Sequence, residues 1–276
     1  MLRSLFSGIS GLRAHQQMMD VTGNNISNVN TTGFKSSQTV FEDTLSQTLR
    51  AAQAAGANTA ATNPAQVGLG VRTAGINTNF NQGTTQSTGR NTDMLIQGDG
   101  FFVVNSSGQQ LYTRAGALSF DAAGQLTTPA GGILQGWMAN GAGVVDKNQP
   151  VAGLTVDKGT YTSFSVSGDG TIVGVLANGT PRTVGQIAMA NFANPGGLDK
   201  AGGSFYRATV NSGPVQIGGA GDNGTGTVVS GALEMSNVDL SQEFTNLIIA
   251  QRGFQANSKV ITSSDEILQD LMNLKR

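Results

Sequence analysis

The stretch Leu240-Ser241-Gln242-Glu243-Phe244-Thr245-Asn246-Leu247-Ile248-Ile249-Ala250-Gln251-Arg252-Gly253-Phe254 repeats a large apolar residue every seventh position. Ile261 and Leu268 continue the series and Leu233 precedes it. A 3.5-residue period held over several turns is the mark of helices that wrap around other helices. Asp239 is a good N-cap, and Gln242 three residues on can complete a capping box. The pattern predicts a helix reaching Leu274, about 55 Å at 1.5 Å per residue, closed by Lys275 and Arg276, where cations suit the dipole.

The other end of the chain repeats the signal. Leu5, Leu12, Met19 and Ile26 are seven apart, flanked by Leu2 and Ile9, and predict a helix over residues 2–28. Gly8, Gly11 and Gly23 interrupt it, each costing about 1 kcal/mol relative to Ala. With Ser4, Ser7 and Ala14, Gly8 and Gly11 also make a strip of small residues beside the Leu stripe, as a close-approaching backbone would require. The C-terminal positions that should complete a two-position core are Asn237, Phe244, Gln251, Ser258, Asp265 and Met272, four of the six polar. A single pair of such helices is near break-even against backbone ordering at about 1–2 kcal/mol per residue. The ends are therefore expected to be loose in a lone chain and to order among neighbours.

Between the ends the sequence changes character. Residues 24–35 (Asn24-Asn25-Ile26-Ser27-Asn28-Val29-Asn30-Thr31-Thr32-Gly33-Phe34-Lys35) read as a helix exit and turn, with Gly33 free to take positive φ. Phe41, Leu45 and Leu49 suggest one or two further helical turns, and Ala51–Gln66 reads as an Ala/Thr-rich linker. Residues 67–232 look all-β: runs such as Phe101-Phe102-Val103-Val104 alternate with the turn dipeptides Ser107-Gly108, Asp169-Gly170 and Asn178-Gly179. The expected class is α+β multidomain. A discontinuous terminal coiled-coil domain (1–50 and 233–276) joins through the 51–66 linker to an all-β outer domain (67–232).

Composition narrows the function classes. A net charge of −1 offers no electrostatic case for nucleic acid or an anionic membrane. The absence of cysteine removes disulfides, thiolate metal sites and Cys nucleophiles together. No apolar run is long enough to span a membrane, and Met1-Leu2-Arg3-Ser4-Leu5-Phe6 does not open a cleavable signal peptide, so any export is expected to leave the first helix attached. The one histidine, His15, reads as a surface residue rather than a base or ligand. Carboxylates stand singly in turns, no phosphate-loop or dinucleotide fingerprint is present, and Trp137 reads as a core anchor. No catalytic, cofactor or metal residue is assigned. A secreted β-domain glycosidase would need a converging carboxylate pair, and an adhesin an exposed aromatic or charged patch.

The motifs themselves are similar to those of a known family. Residues 24–35, then Ser236-Asn237-Val238-Asp239-Leu240 and Gln251–Lys259, resemble the terminal signatures of bacterial flagellar rod and hook axial proteins. Gly98-Asp99-Gly100-Phe101-Phe102 and Tyr112-Thr113-Arg114-Ala115-Gly116 match that family's middle domain. The endings 243–246 and 273–276 and the segment 86–90 look most like hook proteins, while Ala51–Gln66 sits where distal-rod proteins carry a stiffening stretch. The resemblance implies a non-enzymatic subunit of the hook, the flexible joint that transmits torque, with a distal-rod subunit as the alternative. It implies a helical homopolymer of the flagellum, extracellular after unfolded export by the flagellar type III apparatus. Rod, hook-cap and hook–filament junction proteins would be neighbours. Assembly would rest on Leu5, Leu12, Met19, Ile26, Leu240, Leu247, Phe254, Ile261 and Leu268, with Asn28, Gly33 and Phe34 forming the turn from helix to wall.

Overall fold

A computed structural model describes residues 2–54, 60–140, 143–157 and 159–274. It contains a helix at each end and many short strands between them, an α+β fold. Helix α1 spans Leu2–Ser27 and helix α2 spans Leu240–Leu274. Asp239 caps α2 as its side chain predicts, its Oδ1 accepting from Ser241 N at 2.9 Å and Gln242 N at 3.3 Å. Lys275 and Arg276 lie outside the described residues.

The chain divides into two compact units. The first holds α1, α2 and Ser37–Thr78; the second holds Asn28–Ser36 and Asn79–Val238. This division departs from the partition expected from composition, because Ser37–Thr78 is neither helical nor a plain linker. Strand β1 (Ser37–Asp43) pairs antiparallel with β4 (Val71–Thr78), and β2 (Ser46–Arg50) with β3 (Ala65–Gly68). A bridge between Gln53 and Thr62 extends the second ribbon into the expected linker, whose residues 55–59 lie outside the described residues.

The helical turns expected over Phe41–Leu49 are therefore strands. In β1 the alternation Thr39, Phe41 inward and Gln38, Val40, Glu42 outward has period two, and β-branched residues favour the pleated form. The i, i+4 spacing of Phe41, Leu45 and Leu49 mimicked a helical stripe. Only Phe41 uses it to reach a partner, its ring lying edge-on to His15 at 5.9 Å; Leu45 remains 83% exposed.

The second unit is built on antiparallel strands. Its central path runs Tyr161–Val166, Thr171–Leu176, Pro181–Ile187, Ile133–Met138, Phe101–Ser106, Gln109–Thr113, Phe205–Arg207, Asp199–Gly202, with short strands attached beside it. Successive side chains of a strand point to opposite faces, and both faces of Phe101–Ser106 are covered. Phe101 and Val103 join a cluster with Tyr112, Trp137, Phe192 and Tyr206. Phe102 joins another with Met94, Leu134, Ile187 and Met189. This explains an uninterrupted apolar run where a half-exposed strand would alternate. Ser107 and Gly108, with φ of 52° and 79°, make the two-residue hairpin turn that returns the chain to Gln109–Thr113. Trp137 is a core anchor, its Nε1 donating to Gln149 O at 2.9 Å. Burial pushes the Tyr206 phenol up to about 12.

Candidate functional site

Helices α1 and α2 run antiparallel and meet along small residues. Ser4 Oγ lies 3.3 Å from Ser264 Oγ, and Asn25 Nδ2 donates to Glu243 Oε1 at 2.9 Å. A Cβ on Gly11 would fall 2.5 Å from Asn257 Oδ1, and one on Gly253 2.5 Å from the His15 ring. Across these four contacts each step along α1 is matched by an equal step back along α2. On α1 the seam residues Ser4, Gly8, Gly11 and His15 follow the alternating four-three spacing of a heptad, and Asn25 falls in the same register. On α2, Glu243, Ala250, Asn257 and Ser264 are seven apart. Gly8, Gly11, Ala14, Thr22, Asn25, Ala250 and Ser264 are buried.

The small-residue strip thus forms the line of closest approach, and its neighbour is the chain's own second helix. Polar residues fit there because they return hydrogen bonds to their own helix: Asn257 Nδ2 donates to Gly253 O at 2.8 Å and Ser264 Oγ to Val260 O at 2.7 Å. His15, expected on the surface, is half-buried over Gly253.

The large apolar stripe lies beside this seam. Leu5, Leu12, Met19 and Ile26 are half-buried, as are Leu247, Ile261 and Leu268; Leu240 and Phe254 are exposed. Of these, Ile261 reaches the seam directly, its Cγ1 3.1 Å from where a Cβ on Gly8 would stand. Phe6, Ile9, Phe244, Ile248, Ile249, Val260, Ile267 and Met272 are exposed as well. Two apolar flanks are therefore left open along α2. No helix among the described residues is long and apolar enough to cross a membrane.

Asn25 closes the seam at its polar end. Besides bonding Glu243, its Nδ2 donates to Ser37 O at 2.7 Å and its Oδ1 accepts from Ser37 N at 3.0 Å. One side chain thus ties the last turn of α1 to the start of β1 and the first turn of α2.

The turn residues belong to the second unit, where they surround a buried charge cluster. Asn28 Oδ1 and Asn28 O accept from Thr31 Oγ1 and Thr31 N, each at 3.1 Å. Gly33, at φ +68°, donates its N–H to Glu234 O at 2.8 Å, and a Cβ there would lie 2.5 Å from Ala115 N. The Phe34 ring lies 5.3 Å from Lys200 Nζ. Lys35, fully buried, donates to Glu234 Oε1 at 2.6 Å and to Asn81 O at 2.8 Å. Glu234 Oε1 also accepts from Gly83 N at 2.9 Å, and its Oε2 faces Arg114 Nη1 at 3.5 Å. Burial pulls the Lys35 ammonium below its ordinary range, with Glu234 opposing the shift; burial likewise lowers Arg114, again opposed by Glu234. One carboxylate thus holds two buried cations and fastens segments 33–35, 81–83, 114 and 234 together.

Sequence reasoning assigned no role to Asn25, Arg114 or Glu234. A signal existed: Glu234 stands in Ala232-Leu233-Glu234-Met235, an acid inside an apolar run, and such a charge is buried with a partner or not buried at all.

A helix pair with open apolar flanks, carried on the two ends of a chain whose middle is a β-body, is the build of an axial structural subunit. Three family models match in order along the chain: "Flagella basal body rod protein" over residues 5–35, "Flagellar hook protein FlgE/F/G D1 domain" over 95–174, and "Flagellar basal body rod FlgEFG protein C-terminal" over 229–274. The flagellar basal-body rod protein FlgG of Bacillus subtilis (strain 168) is 48% identical over 277 residues, the full length of both chains. The FlgG of Borreliella burgdorferi is 37% identical over 279 residues, again all of both. The flagellar hook protein FlgE of the same organism is 31% identical, but across an alignment of 441 residues. The chain belongs to the flagellar rod and hook protein family, whose members are structural and build homopolymeric axial structures of the bacterial flagellum. The hook reading of the sequence endings gives way to the rod as the better-supported member of that family.

Proposed function

We propose that this chain is a distal-rod subunit, a rigid section of the flagellar driveshaft, and that it has no catalytic role. The observation that carries the rod reading is collinearity. The FlgG relatives align end to end at essentially this chain's length, whereas the FlgE relatives require alignments of 441 and 463 residues. The β2–β3 ribbon and the Gln53–Thr62 bridge bring the two ends of the expected linker together, and paired strands at its base suit a stiff shaft.

In this reading α1 and α2 form the coiled-coil inner layer of a tube. Their half-buried and exposed apolar residues (Leu5, Leu12, Met19, Ile26, Leu240, Leu247, Phe254, Ile261, Leu268) are completed by adjacent copies. Asn28, Gly33 and Phe34 fix the turn into the β-body. Neighbours along the axis are other rod and hook proteins, and export proceeds through the flagellar type III apparatus with the terminal helices loosely ordered until copies meet. The open flanks support this: helix faces that leave Phe244, Ile248 and Ile267 exposed bury too little alone and gain from neighbours.

Electron micrographs of basal bodies from a strain lacking this gene test the assignment. A distal-rod subunit leaves basal bodies with a shortened rod and no hook. A complete rod without a hook would instead identify the hook protein.

A further inference from the structure

The first unit carries an open groove of about 530 Å³ between α1 and β4. Phe6, Ile9, Leu69 and Val71 supply its apolar lining, Arg13 and Arg72 its charges, and no carboxylate lines it. Arg72 is already paired with Glu42 at 2.5 Å, whereas Arg13 forms no ion pair among the described residues. Phe6 is 68% exposed and Ile9 40%. At about 100° per residue, Phe6, Ile9 and Arg13 lie on the side of α1 opposite Ser4, Gly8, Gly11 and His15. The chain's own α2 occupies that other side, so it is not what fills the groove.

The last third of α2 has the matching chemistry. Val260 and Ile267, seven apart, are both exposed, and Glu266 and Asp270 flank them on the same side. Residues 260–274 contain three carboxylates (Asp265, Glu266, Asp270) and no Lys or Arg. None of the three joins an ion pair among the described residues. One apolar groove with a free cation and one apolar stripe with free anions therefore stand on the same polypeptide, the groove on the side of α1 away from α2 and the stripe beside Ser264 on α2.

We infer that the α1–β4 groove receives the Val260–Asp270 face of α2 from a second copy of this chain, with Glu266 and Asp270 meeting Arg13. Because groove and stripe are different surfaces of the chain, the contact is heterologous and propagates, as a tube requires. The inference rests on the homopolymer reading and names one of its interfaces.

Polymerisation of the purified full-length chain, followed by sedimentation and micrographs, tests it. Arg13→Glu alone, and Glu266→Arg with Asp270→Arg, should each raise the concentration needed for polymer at least about tenfold, since like charges at a contact cost more than the 1.4 kcal/mol that tenfold represents. The three changes in one chain should restore polymer at near the wild-type concentration. Asp265→Arg, on a different side of α2, should have little effect. A second measurement does not depend on charge. The chain has no cysteine, so Ile9→Cys with Ile267→Cys should give a ladder of disulfide-linked multimers on mild oxidation. Charge variants that polymerise normally, or a triple variant that fails to recover together with an absent ladder, would overturn the groove while leaving homopolymer formation intact. A wild-type chain that never polymerises would remove the homopolymer reading itself.

Discussion

Glu234→Gln should destabilise the β-body by about 3–5 kcal/mol at neutral pH, the size seen when one partner of a buried ion pair is removed. The substitution keeps the side-chain shape and an oxygen for Gly83 N and Lys35, while its amide nitrogen takes the place of the oxygen that faced Arg114. It leaves Lys35 and Arg114, both almost wholly buried, without the carboxylate they share. Lys35→Met should cost less, because Glu234 and Arg114 remain a neutral pair. Urea unfolding read by Trp137 fluorescence measures this cleanly, since the only tryptophan lies in the second unit.

The pH dependence has a defined sign. Burial holds the Lys35 pKa in the folded chain below its value of 10.5 in the unfolded chain. Between the two, the unfolded chain binds a proton that the folded one has released, so the Lys35 contribution to stability increases as pH rises through that window. Removing Glu234 takes away the influence that opposes the shift, so the window widens downward and the Glu234→Gln defect shrinks toward alkaline pH. Equal losses for Glu234→Gln and Lys35→Met, or a defect that grows with pH, would contradict the shared-carboxylate arrangement.

Gly11→Leu should stop polymerisation and loosen the helix pair without moving the Trp137 transition. A Cβ at Gly11 meets all three outer atoms of the Asn257 amide, at 2.5, 2.7 and 2.8 Å. That amide cannot swing away freely, since its Nδ2 holds Gly253 O. Overpacking of this kind costs about 1–3 kcal/mol. It opposes the gain of up to about 1 kcal/mol that any residue better than Gly brings to a helix. The two effects have opposite signs, so the outcome discriminates. Gly11→Ala paired with Asn257→Ala removes the clash, keeps the propensity gain, and should polymerise. A Gly11→Leu chain that gains helicity and still forms polymer would mean the helices do not approach at this point.

The helices were legible because capping and period need no tertiary information. Asp239 begins α2, and the seven-residue repeats ran through both ends. The register of contact was not legible. Large apolar side chains dominate any hydrophobic reading, so Leu5, Leu12, Met19 and Ile26 drew attention, whereas the closest approach follows Ser4, Gly11 and Asn25, one position earlier. Absence of a Cβ decides that approach, and no transfer scale registers it. Phe41, Leu45 and Leu49 failed for a related reason: three apolar residues four apart satisfy a helix, but the strand partners that override the pattern lie well downstream, at Val71–Thr78 for Phe41 and at Ala65–Gly68 for Leu49. In the β-body the turns were readable from Ser107-Gly108 and its like. The buried charge cluster was not, because Lys35, Arg114 and Glu234 come together only through the fold.

The central claim is that the terminal helices carry assembly and the β-body folds without them. The direct measurement is sedimentation and Trp137-monitored unfolding of residues 28–238, which comprise the whole second unit together with Ser37–Thr78 of the first and retain Lys35, Arg114 and Glu234. This fragment should unfold cooperatively, close to the full-length transition, and should remain monomeric at concentrations where the intact chain forms tubes. Tubes assembled from the fragment, or a fragment that fails to fold, would contradict the claim.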